Sequence, residues 1–126
     1  MTISSFEYRQ LTEIQTINSS DSTTTTEVFI NNPVKKSYVR NIILFNGDST
    51  AVVYVKLHKV KSLGGLAGTV KTSNQMYGAY LDPGDRISIE YPIPGSILDE
   101  LNDTIHAIAD VPDVITIEII GADEDV

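Results

Sequence analysis

Apolar residues recur along this chain mainly at every second position, the spacing of a strand with one buried face, and seldom at helical spacing. The clearest run is Ala51 to Val60, where Ala51, Val53, Val55 and Leu57 fall on one face and Tyr54, Lys56 and His58 on the other. Arg86 to Tyr91 repeats it, with Ile87, Ile89 and Tyr91 opposing Arg86, Ser88 and Glu90. Val114 to Ile120 does so again, with Ile115, Ile117 and Ile119 alternating with Thr116 and Glu118. Turn residues punctuate these runs: Asn31-Asn32-Pro33, Asn46-Gly47-Asp48, Gly64-Gly65, Asp82-Pro83-Gly84-Asp85, Pro94-Gly95 and Pro112-Asp113. The pattern predicts an all-β chain of about eight strands, over 11–17, 24–31, 37–46, 51–60, 70–80, 85–91, 104–109 and 113–120. Its expected architecture is a single antiparallel β-sandwich or jelly-roll-like barrel.

Some segments depart from simple alternation. Tyr38 to Asn46 is apolar on both faces in its second half, with Ile42 and Leu44 on one side and Ile43 and Phe45 on the other. Only one face of a strand in a two-sheet sandwich meets the core, so the second face needs a cover. That cover is either the N-terminal segment, Ile3 to Ile17, folding back over its own chain, or a neighbouring subunit. The expected organisation is an extended N-terminal arm, residues 1–18, followed by a β-sandwich domain, 19–126. The run Ser19 to Thr26 reads as an exposed loop opening an edge strand, because threonine is a good strand former and Glu27-Val28-Phe29-Ile30 follows directly. Ser96-Ile97-Leu98-Asp99-Glu100-Leu101 begins with an N-cap residue and has acids in its first turn, which predicts one helical turn at most, serving as a connector.

Length and composition narrow the function classes. At 126 residues one hydrophobic core is expected. The absence of cysteine excludes disulfides, thiolate metal sites and cysteine nucleophiles. A formal charge of -8 repels nucleic acid, and favours solubility or a basic patch on a partner protein. The N-terminus has neither a secretory signal pattern nor a transmembrane run, so synthesis and retention in the cytoplasm, without membrane contact, are expected.

A search for chemistry turns up little. The two histidines, His58 and His106, fall at outward strand positions and read as separate surface residues. Asp82 and Asp85 could flank a calcium ion or act as acid and base, but Asp-Pro-Gly-Asp is better read as a type II turn. Asp99, Glu100 and Asp103 lack the pattern of an EF-hand loop, and the glycines from Gly64 to Gly68 lack the lysine and helix of a phosphate cradle. No serine lies in a nucleophile elbow. The chain is read as a non-enzyme with no catalytic residue, metal or cofactor. The C-terminal Gly121 to Val126 reads as a short acidic tail after the last strand.

In chain order come the threonine-rich opening TTTTEVFINNPVKKSYV, Val39 to Asn46, the Val53 to Leu57 strand, a glycine-rich loop, Leu81 to Ile89, and the segment from Leu98 or Leu101 through Ala107. Taken together, these motifs resemble those of a family of small β-sandwich virion proteins of tailed bacteriophages. The inserted Ile97-to-Asn102 turn and the longer arm depart from the family pattern. The resemblance implies a structural role in the virion without an active site: a capsid decoration (cement) protein contacting the major capsid protein or other virion subunits, as an oligomer with a trimer favoured. A neck, tail or fibre component is the alternative, as is a carbohydrate- or host-surface-binding module. The residues expected to anchor such contacts are Ile3, Phe6, Tyr8, Leu11 and Ile14 of the arm, with Tyr77 and Tyr80. The competing expectation is that they pack within their own domain.

Overall fold

The computed structural model describes residues 8–18, 25–31, 35–93 and 95–124. They form ten strands: β1 Arg9–Gln10, β2 Gln15–Ile17, β3 Thr26–Ile30, β4 Lys36–Asn46, β5 Val53–Val60, β6 Gln75–Leu81, β7 Arg86–Glu90, β8 Ser96–Leu98, β9 Thr104–Ala109 and β10 Ile115–Glu124. One sheet runs β1-β10-β4-β7, with β2 also on β10 and β8 also on β4; the other runs β3-β9-β5-β6. The strand pairings are antiparallel. The fold is an all-β sandwich.

Alternation drives the packing. Val53, Val55 and Leu57 of β5, Ile105, Ala107 and Ala109 of β9, Ile42 and Leu44 of β4, and Ile115, Ile117 and Ile119 of β10 meet in one core between the sheets. Fully burying each larger side chain stabilises the fold by about 1.5–3 kcal/mol. A buried amide ties the layers together: Asn46 Nδ2 donates to the carbonyls of Ala51 at 2.9 Å and Leu81 at 3.0 Å, while Oδ1 accepts from Asp48 N at 3.0 Å.

Several elements differ from the sequence reading, and the strand expected over 70–80 begins only at Gln75, after a 3-10 turn at Thr72–Asn74. Ser96–Leu98 is a strand, not a helical turn: it pairs with Ser37–Val39 of β4 and buries Leu98 completely. Three residues are too few to show a period, and the free edge of β4 decides their conformation. Gly95, at φ 124°, permits that approach, since a Cβ there would lie 2.6 Å from the Val39 carbonyl oxygen. Next, the last strand does not stop at Ile120 but continues to Glu124 through a β-bulge that leaves Arg40 without a partner on β10. Gly121 is required there, because a Cβ would meet the Tyr38 carbonyl oxygen. Finally, of the strand expected over 11–17 only Gln15–Ile17 forms, as β2, while β1 lies ahead of it at Arg9–Gln10; both pair with the outer edge of β10. Of the segment expected to be an arm, residues 8–18 therefore extend a sheet of their own chain, and Ile17 joins the core.

Candidate interaction surfaces

At the end of β5 the chain forms a tight hairpin, Leu63-Gly64-Gly65-Leu66. Both glycines have positive φ, 60° and 82°, which two-residue hairpin turns of the mirror-image kind demand. Leu63 and Leu66 exchange backbone hydrogen bonds at 2.8 and 3.1 Å. Below them lies Asp103, fully buried. Its carboxylate accepts from Ser62 N at 2.9 Å, Glu100 N at 3.0 Å and Lys61 Nζ at 2.7 Å. Burial alone would raise the Asp103 pKa, but Lys61 and the two backbone donors outweigh it and hold the carboxyl below its ordinary value. Asn102 Nδ2 donates to the Gly65 carbonyl at 2.7 Å, fixing the tip from the other side. The hairpin is thus a braced finger, yet Leu63 and Leu66 are 75% and 74% exposed. Leu101, also exposed, lies against Gly65.

A second apolar surface lies on the outer face of the first sheet. Ile14, Ile43 and Phe45 line a shallow groove of about 230 Å³ with Arg86, Thr116 and Glu118. Ile14 is 62% and Phe45 39% exposed. The N-terminal segment lies beside β10 and brings Ile14 to this groove, so it covers the second apolar face of β4 only in part, with Ile43 half-buried and Phe45 exposed.

Among the residues expected to anchor contacts, Ile3 and Phe6 lie outside the described residues. Tyr8 is partly exposed, and Ile14 and Tyr80 are well exposed, at different places in the fold. Leu11 donates its N–H to the Ile119 carbonyl at 2.8 Å and packs on the core, and Tyr77 packs on it too, as the competing expectation of packing within their own domain has it. Tyr80 on β6 pairs with Tyr54 on β5, ring centroids 4.6 Å apart and tilted by 48°. The sequence reads the finger as a flexible hairpin loop; the hairpin is there, and its bracing is what the sequence does not reveal. The two leucines flanking Gly64-Gly65 were the finger's one local signal.

The chemical candidates resolve mostly into structure. Asp82 to Asp85 is a turn, with Asp85 N donating to the Asp82 carbonyl at 3.0 Å and Gly84 at φ 78°. Asp103 is committed to the finger, and Lys61 also pairs with Asp99 at 3.2 Å. Among the described residues no three His, Asp or Glu side chains cluster as a metal cage, and no helix is long and apolar enough to cross a membrane. The histidines are the exception to the sequence reading. Instead of being separate surface residues, His58 of β5 stands directly opposite His106 of β9, and His58 is buried while His106 is half-buried.

No family model matches the chain, and neither the curated proteins nor the solved structures include a significant match.

Proposed function

We propose that this protein is a non-enzymatic structural module that packs against other subunits, and specifically a capsid decoration protein of a tailed bacteriophage. The observation that carries the subunit-binding reading is the braced leucine finger. Exposing two leucines on a tip held by Asp103 and Asn102 has no use within the domain, whereas a tip already ordered loses little entropy on entering a partner's pocket. The open groove at Ile14, Ile43 and Phe45 supplies a second contact surface on the opposite sheet. A protein bridging neighbouring shell subunits needs two such surfaces. The assignment to the capsid rests on the order of sequence motifs, and a trimer is the oligomer in keeping with it.

The double variant Leu63→Asp/Leu66→Asp tests the finger. Because both side chains are exposed, the melting temperature stays within a few degrees of wild type, while incorporation into particles drops by tenfold or more, as roughly 2 kcal/mol or more per anchor implies. Unchanged incorporation would remove the finger from the interface. A neck, tail or fibre position is separated from a shell position by copy number. Tyr80 favours one further reading, a carbohydrate- or host-surface-binding face, since it is 72% exposed beside Tyr54. A glycan array on which wild type binds and Tyr80→Ala does not would support that reading, and an array without hits would end it.

A further inference from the structure

On the outer face of the second sheet, Glu27, His106 and His58 form one row across β3, β9 and β5, each the register partner of the next. The orientation of the two rings follows from their hydrogen bonds. His58 Nδ1 lies 3.1 Å from the Lys71 carbonyl and 2.9 Å from Asn74 Oδ1. A carbonyl cannot donate, so Nδ1 carries a proton, and the nitrogen that the neutral ring can offer to a ligand is Nε2. Asn74 immediately precedes the His58 partner Gln75, so this anchor pulls Nδ1 toward the β6 side, away from β9. His106 Nδ1 is held at 2.7 Å by Thr25 Oγ1, on the β3 side, away from β5. In an imidazole the lone pair of Nε2 points away from Nδ1. With both Nδ1 atoms drawn outward, the two Nε2 atoms converge over the gap between β5 and β9.

We propose that His58 and His106 together bind one borderline divalent transition-metal ion, Zn²⁺ or Cu²⁺, through their Nε2 atoms. Opposed residues on one face of an antiparallel pair have Cβ atoms roughly 4.5–5.5 Å apart, within reach of two metal–nitrogen bonds of about 2.0–2.1 Å. Imidazole nitrogen selects these ions over Ca²⁺ or Mg²⁺, which take oxygen. The Nδ1 contacts to Lys71, Asn74 and Thr25 are the outer-shell bonds that fix ligating histidines. Burial holds the His106 pKa below its ordinary value, with Glu27 opposing the shift and His58 adding to it. Lys56, two residues from His58 on the same face, is the cation that works against the site, and Glu27 is the carboxylate that favours it. No third His, Asp or Glu closes the cage among the described residues, so water or an incoming ligand completes the coordination.

The test is Cu²⁺ added to the untagged full-length chain at neutral pH, read by electron paramagnetic resonance, with Zn²⁺ binding measured by calorimetry. The expected spectrum shows two imidazole nitrogens on one copper per chain, and acidification releases the ion as protons compete for Nε2. His106→Gln, at a half-buried position, keeps the circular dichroism spectrum and weakens both ions by more than about tenfold, since even an outer-shell partner is worth roughly 10–100-fold. A spectrum with one imidazole or none, or a folded His106→Gln chain that binds as wild type does, would overturn the proposal.

Discussion

Asp103 shows how one buried charge organises a surface. It has three donors, Lys61 Nζ and the N–H groups of Ser62 and Glu100, and its own carbonyl accepts from Asn31 N at 2.9 Å. Asp103→Asn keeps the shape but gives up the charge, and should lower stability by about 1.5–3 kcal/mol in urea unfolding. The pH dependence has two parts. Asp103 has a folded pKa below its ordinary 3.8, so its contribution is full above that value and is lost as pH falls through the lower folded value. His106 also has a lowered pKa, so below its ordinary 6.5 the unfolded chain takes up a proton more readily than the folded one. Stability should therefore be level above pH 6.5, decline in a first stage below it, and fall again in the carboxylate range. A pH series of melting temperatures in which His106→Gln abolishes the first stage would agree; a first stage that persists in the variant would assign it elsewhere.

Among the elements, the edge strands carry the most information. β1 and β2 occupy the edge of β10 that would otherwise be an unpaired ladder, and Ile17 is fully buried opposite Ile115. Deleting residues 1–18 removes both strands and a core side chain, so the shortened chain should lose cooperative unfolding or melt far below wild type. A truncated chain of native stability would show that the segment acts only outside its own fold. Strands β5, β7 and β10 were legible in the sequence because their alternation is uninterrupted. β8 was not, because Ser96-Ile97-Leu98 carries a helix-start signal that pairing with β4 overrides. The bulge that lets β10 run on to Glu124 was hidden for a related reason: its cause is Gly121 approaching Tyr38, a contact between residues distant in sequence. The same limit concealed the histidine pair, since the register of β5 on β9 is set by the whole sheet and by no local motif.

At the scale of the whole molecule, the two exposed apolar surfaces lie on different sheets of the sandwich. The leucine finger extends from the end of β5 in the second sheet, and the Ile14, Ile43 and Phe45 groove lies on the outer face of the first. The formal charge of -8 sets like-charge repulsion against indiscriminate self-association through either surface. That combination suits a subunit made free and then seated on a lattice of other proteins. The two apolar surfaces were only half legible beforehand: the double-sided apolar strand was plain at Ile43 and Phe45, whereas the exposure of Leu63 and Leu66 depends on how Asp103 braces their hairpin. The most direct measurement is the number of copies of this chain per major shell subunit in purified particles, by quantitative mass spectrometry. A ratio near one is the predicted result for a decoration protein covering the capsid, a few copies per particle would move it to the neck, tail or fibre, and its absence from particles would contradict the virion account.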